Sequence, residues 1–178
     1  VHWCFPFFKT DGQEKATSEP HQGAWREAMM EGAYLGVEDW LERLGADRKQ
    51  LFISVDEALE VNRKLGLKAF HGGWKVWICW LPEMMRVDTA NKFLKLMEEP
   101  TDQTVMLFVT EHPDSWLSTI RSRVQRIHVP SLGMEEAVRG LTSKWGMDRE
   151  LAQSLAHVSD GNVAQALRMA RAGESQPD

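Results

Sequence analysis

From Lys75 to Val129 short apolar runs alternate with helical stretches, and that rhythm leaves few architectures open. "KVWICWL" (75–81), "TVMLFVT" (104–110) and "VQRIHV" (124–129) read as strands. Between the first two, Ala90, Phe93, Leu94 and Met97 recur at helical spacing and Pro100 closes the segment, which predicts a helix over 88–99. Trp116, Leu117 and Ile120 mark another helix near 114–123. Strands apolar on both faces and separated by helices are the pattern of a parallel sheet, because parallel neighbours need a crossover connection. The expected fold class is therefore α/β.

After Pro130 the rhythm changes. Three helical segments follow without strands, at 134–145, 149–158 and 162–171, with Asp148 and Asn162 as N-caps and Gly146 and Gly161 as breaks. Val163, Ala166, Leu167 and Ala170 give the last of them an apolar face. Two domains are predicted, a partial α/β core over 1–130 and a small helical domain over 131–178.

Upstream of the alternation, "VHWCFPFF" (1–8) reads as a strand that Pro6 confines to a sheet edge or a bulge. Residues 9–23 are polar, with Gly and Pro, and read as a loop. Two short helices are expected over 24–45, carrying Trp25, Met29, Val37, Trp40, Leu41 and Leu44 and ending at Gly45. "QLFIS" (50–54) is short and apolar, and Ser54 with Glu57 has the spacing of a capping box opening the next helix. The eight tryptophans follow helix and strand patterns, so core packing is their first reading.

With 43% hydrophobic and 26% charged residues, the composition is globular and not that of a disordered chain. A net charge of -5 argues against a chain that wraps DNA by itself, although a local basic patch remains compatible with it. Cys4 and Cys79 lie in hydrophobic runs and read as reduced core residues of a cytoplasmic protein. His2 and Cys4 are two ligands short of a zinc site, so no metal is expected here. No run approaches the roughly 18 apolar residues of a membrane span. His112, His128 and His157 fall on separate elements without a Ser or Cys partner, which supports no hydrolase triad. The chain opens on Val in strand-like sequence, from which a preceding segment is expected.

Three stretches carry a family resemblance. "ANKFLKLMEEP" (90–100) resembles the A-N-x-L-L-K-x-L-E-E-P helix of clamp-loader subunits of the AAA+ class, with Phe93 and Met97 as mild departures. "VMLFVTEHPDSWLSTIRSRVQRI" (105–127) is similar to their sensor-1 strand and the following helix, which ends in T-I-x-S-R-C. "GNVAQALRMA" (161–170) resembles their lid motif G-x-x-x-x-A-L. The resemblance spans about residues 50–171. Within the class the delta-prime family of the bacterial DNA polymerase III clamp loader fits best. It implies a truncated AAA+ core followed by a helical lid. It also implies a phosphate loop upstream of residue 1, a structural zinc there in many members, and a collar domain beyond residue 178.

The departures from the motor subunits of that class are informative. No G-x-x-x-x-G-K-[ST] loop occurs, and His71-Gly72-Gly73 is no substitute, since no Lys-Ser/Thr follows it. The family's D-E-x-D falls on Trp80-Leu81-Pro82-Glu83, which reads as a degenerate magnesium site. The lid arginine falls on Ala164. What the resemblance preserves is Arg123, the S-R-C arginine, which in the family projects into a neighbour's ATP site, with Ser122 beside it and Thr110 at the sensor-1 position. From the residues alone, Arg121, Arg123 and Arg126 indicate a solvated basic helix end. The implied role is a non-hydrolysing clamp-loader subunit with motor and delta-type subunits, the sliding clamp and primer–template DNA as partners, and no membrane. An ATP-hydrolysing motor subunit and a stand-alone adaptor on an inactive AAA+ scaffold remain the alternatives.

Overall fold

The first strand, β1 (His2–Cys4), stops two residues short of Pro6, which has no N–H to give a ladder. In this computed structural model, residues 1–32, 34–46, 48–67 and 72–174 are described, without the Glu174 side chain. The remainder, which includes Lys68–His71 and the end of the polar tail, lies outside the described residues, so the reading of His71-Gly72-Gly73 is met only at its glycines. The described elements in chain order are β1, α1 (Gln22–Glu31), α2 (Val37–Arg43), α3 (Val55–Gly66), β2 (Lys75–Trp80), α4 (Val87–Glu98), β3 (Thr104–Val109), α5 (Ser118–Arg121), α6 (Met134–Trp145), α7 (Arg149–Val158) and α8 (Val163–Glu174). The chain forms two compact units, Val1–Trp25 with Ala46–Gln125, and Arg26–Gly45 with Arg126–Asp178.

The first unit is the α/β core. Its sheet is three-stranded and parallel, in the order β1-β2-β3. The register sets Cys4 beside Cys79 and Cys79 beside Phe108, and sets His2, Trp77 and Met106 in a second row. Because side chains alternate along a strand, these residues share one face. There Cys4, Trp77 and Cys79 pack with Ala58, Val61 and Leu65 of α3 and Phe93 and Leu96 of α4 to make the core. α4 buries Ala90 and Phe93 at the expected spacing, with Leu94 and Met97 half-buried and Leu96 buried in addition, while α3 leaves Leu59 exposed. Both cysteines are free and buried, and burial pushes the Cys4 thiol up, reinforced by the neighbouring Cys79.

Residues 50–54 contribute two isolated bridges, Phe52 antiparallel to Phe7 and Ile53 parallel to Met85. One expected feature of this unit is corrected. The helix expected over 114–123 is a 3-10 turn at Pro113–Ser115 followed by the single turn α5. The break falls at Trp116, which is extended, with ψ of 149°, so the chain leaves the helical turn before α5 begins.

Ser54 does cap α3, accepting from the Glu57 N–H at 3.0 Å. The reciprocal half of a capping box is replaced by a longer reach. The Glu57 carboxylate accepts the Ser18 N–H at 2.7 Å and the Ser18 hydroxyl at 2.8 Å, and Asp56 accepts the Ala16 N–H at 2.9 Å. The 9–23 loop is thereby tied to the start of α3. Glu57 is buried, and that desolvation raises its pKa despite the bonds from Ser18. An acid whose folded pKa is raised contributes most below its unfolded value, and loses that contribution as pH rises through the folded one. Glu57→Gln keeps an oxygen for the Ser18 N–H and turns its amide to the Ser18 hydroxyl, which then accepts. We predict that the stability of Glu57→Gln relative to wild type increases between about pH 4 and about pH 7. Urea titrations at both ends of that window measure it, and a constant difference would refute it. Glu57→Ala strands the Ser18 N–H and is expected to cost about 2–3 kcal/mol.

The second unit is helical. Ala137, Val138 and Leu141 of α6, Ala152 and Ala156 of α7, and Val163, Ala166 and Leu167 of α8 form its core. α6 and α7 have the predicted bounds; Gly146 takes the left-handed cap of α6, with φ of 65°, and Asp148 accepts from the Glu150 and Leu151 N–H groups. Residues 26–45 group with these helices, where the domain prediction had placed them in the core. Tyr34 meets Trp145 edge-on at 5.2 Å, and Arg168 of α8 pairs with Glu38 of α2. The strand expected at 124–129 is absent. Ile127 and Val129 are 77% and 81% exposed, and no described strand lies alongside to pair with them. No helix among the described residues is long and apolar enough to cross a membrane.

Candidate functional site

In an open α/β sheet the chemistry gathers beyond the carboxyl ends of the strands. Here β2 ends on Trp80, whose ring lies 5.3 Å from that of Trp25. Leu81 follows in the left-handed region, φ 52° and ψ 56°, which costs a non-glycine residue about 1–2 kcal/mol. Two contacts hold it there. Its N–H donates to the Val109 carbonyl at 2.9 Å, extending the ladder to β3, and its side chain is buried. An indole and a buried isobutyl group thus stand at the end of β2. Neither provides the hard oxygen that magnesium requires, so these residues do not fit that metal.

Glu83 is the carboxylate of this stretch, and it turns toward β3. The 3-10 turn Pro82–Met84 carries it back so that Oε2 accepts from the Thr110 hydroxyl at 2.9 Å, with the Trp116 indole N–H at 3.5 Å. Oε1 is shielded from solvent without a partner among the described residues. Thr110 accepts in turn from the His112 N–H at 3.0 Å. The Glu83 and Thr110 side chains thus form a polar link between the ends of β2 and β3. Both hydrogen-bonding roles of the Thr110 hydroxyl are engaged in it.

Arg123 directly follows the turn of α5. Its Nε donates to Glu98 Oε1 at 2.8 Å and Nη2 lies 2.6 Å from the same oxygen. Nη1 donates to the Thr119 carbonyl at 2.8 Å and to Ser122 Oγ at 3.3 Å. Ser122, chosen as the motif neighbour, is therefore part of the cradle, and its own hydroxyl donates to Thr119 O at 3.1 Å. The Arg123 side chain remains 36% exposed. Arg121 is separately paired with Asp114 at 3.0 Å. Glu98 was missed in the sequence reading, although "MEEP" carries a signal: two acids at a helix C-terminus sit against the dipole and favour a cation nearby.

Ala164 is the second residue of α8, in the helical unit, and its methyl group can hold no phosphate. One turn along, Arg168 is engaged with Glu38, and Arg171 lies 4.0 Å from Asp39. Among the described residues no cluster of three or more His, Cys, Asp or Glu side chains is placed to hold a metal ion.

The family model described as DNA polymerase III, delta subunit, matches residues 20–133, well over half of the chain. Curated relatives are the DNA polymerase III delta' subunits of Bacillus subtilis strain 168, 31% identical over 56% of this chain, and of Escherichia coli strain K12, 28% identical over 71%. The chain belongs to the delta-prime family of DNA polymerase III subunits. The matched parts are 30% and 38% of those relatives, so this delta-prime chain spans about a third of their length. A solved DNA polymerase III gamma-subunit-related protein from Thermotoga maritima aligns at 21% identity with a TM-score of 0.46, covering 66% of this chain and 51% of that one.

Proposed function

We propose that this delta-prime chain acts as a non-hydrolysing clamp-loader subunit that contributes Arg123 to a neighbouring subunit's ATP site. The reading rests above all on the substitution of Trp80 and Leu81 at the end of β2, with Leu81 buried in the fold rather than presented to a ligand. Hydrolysis of a phosphoanhydride needs a metal-held phosphate and an oriented water. Those two side chains can arrange neither. Arg123 needs neither, since a guanidinium acts from outside, neutralising charge on the transferred phosphoryl oxygens. Its half-exposed position on a cradle of Thr119 and Ser122 suits that task. The partners in this reading are ATP-hydrolysing motor subunits, a delta-type subunit, and through them the sliding clamp and primer–template DNA, in the cytoplasm.

The test uses the full-length protein, alone and assembled with motor subunits, clamp and primed DNA. Alone it should hydrolyse no ATP above background. In the assembly Arg123→Ala should lower the ATPase rate without dissociating the complex. The drop is bounded by the share of the one site that Arg123 faces, even though arginine fingers are worth roughly 10³–10⁵ at their own site. Turnover by the isolated protein would restore the motor-subunit reading, and an unchanged assembly rate would remove the finger.

A further inference from the structure

We infer that Glu98 is a positioning residue that parks Arg123, and that Arg123 must exchange Glu98 for phosphate before it acts. The inference rests on the trans role proposed above. Its basis is a count of donors. A guanidinium carries five N–H groups and grips a phosphate best through two parallel bonds from one edge. Here one Glu98 oxygen takes the Nε edge, at 2.8 Å from Nε and 2.6 Å from Nη2, while Nη1 is committed to Thr119 O and Ser122 Oγ. No edge of the fork keeps two free donors. Arg123 as it stands is therefore held in place but not ready to bind an anion bidentately.

Which contact gives way follows from charge and exposure. Thr119 O and Ser122 Oγ come from the same turn as Arg123 and move with it. Glu98 comes from the end of α4, 25 residues away in sequence, and its side chain is 49% exposed. A water-exposed ion pair holds weakly. A nucleotide's terminal phosphate carries more charge than one carboxylate and displaces it at modest cost. The acid itself is well placed to wait there, because at a helix C-terminus it gains from any cation brought close. Glu98 would thus keep the arginine near its working position between encounters and release it to a phosphate, never touching the nucleotide itself.

The experiment is a double-mutant cycle on the full-length protein in the complete clamp-loader assembly, reading steady-state ATP hydrolysis with clamp and primed DNA. Glu98→Gln removes the competing charge at nearly constant shape. The expected result is an ATPase rate about two- to fivefold higher at the site Arg123 faces, the range a weak exposed pair commands, carried in kcat rather than KM. In an Arg123→Ala background the same change should do nothing. A merely structural role for Glu98 at the end of α4 would instead act equally in both backgrounds. A rate with Glu98→Gln that is unchanged or lower, or a gain that persists without Arg123, overturns the parking role. If Arg123→Ala alone leaves the rate untouched, the trans role fails, and the parking role with it. If Arg123→Ala lowers the rate and Glu98→Gln does not raise it, the parking role alone is overturned.

Discussion

Replacing Trp77 with alanine should destabilise the α/β unit by about 3–5 kcal/mol, the usual range for deleting a buried aromatic side chain. Trp77 has no exposed surface, stacks on Phe93 with ring centres 4.8 Å apart and meets Phe108 edge-on at 5.3 Å. It is the central side chain of the covered sheet face, so the cavity would open between the sheet and α4. Trp77→Phe separates two contributions. The indole Nε1 is buried without a partner among the described residues. An unmade buried hydrogen bond costs about 1–3 kcal/mol, and phenylalanine removes that cost while keeping the ring against Phe93. The loss with phenylalanine should therefore be less than half the loss with alanine. Urea unfolding at constant m-value measures both. Equal losses would mean that the N–H is satisfied, since its hydrogen bond is what both variants remove, and that the retained ring contributes nothing.

Trp77 also shows why the sheet was legible in sequence. The continuous apolar run that carries it marks a strand of a parallel sheet, and local composition determines that. The same holds for α6 and α7, where Gly146 and Asp148 terminate and initiate helices through their own backbone geometry. What could not be read depends on partners distant in sequence. Val124–Val129 has strand-like composition, but a strand exists only where a neighbour completes its ladder, and none of the described residues does so. Glu57 has capping-box spacing, yet its carboxylate serves Ser18, 39 residues earlier. No local rule could place residues 26–45 with the C-terminal helices, since Tyr34–Trp145 and Glu38–Arg168 are long-range pairs.

The candidate site divides along the same line. Trp80 and Leu81 were singled out by residue type, because neither side chain carries a hard oxygen wherever it points. How the structure uses the end of β2 was not legible. The link from Glu83 to Thr110 and the Glu98 contact of Arg123 each join residues more than 20 apart in sequence.

Gly161→Ala should cost the helical unit about 2–5 kcal/mol, although it adds one methyl group. Sequence marks this glycine as the start of the lid motif, and geometry supplies the reason. α7 ends at Val158, and the chain then passes through two left-handed residues, Asp160 at φ 49° and Gly161 at φ 75°, before Asn162 caps α8 by accepting the Gln165 N–H at 3.1 Å. The Gly161 N–H closes α7 by donating to the Ala156 carbonyl at 3.0 Å, which fixes the residue's position. A Cβ there would overlap the Leu132 carbonyl oxygen and lie 3.3 Å from its carbon. Backbone cannot swing aside as a flexible side chain can, so the segment before α6 or the turn itself must shift. Two variants divide the cost. Gly161→Asn tolerates the left-handed conformation but carries the same Cβ, so it should be nearly as damaging as alanine if close approach dominates. Asp160→Gly relieves strain without adding an atom and should be neutral or slightly stabilising. Thermal unfolding of the three variants ranks them, and a mild Gly161→Asn would assign the glycine to its φ angle rather than to the carbonyl of Leu132.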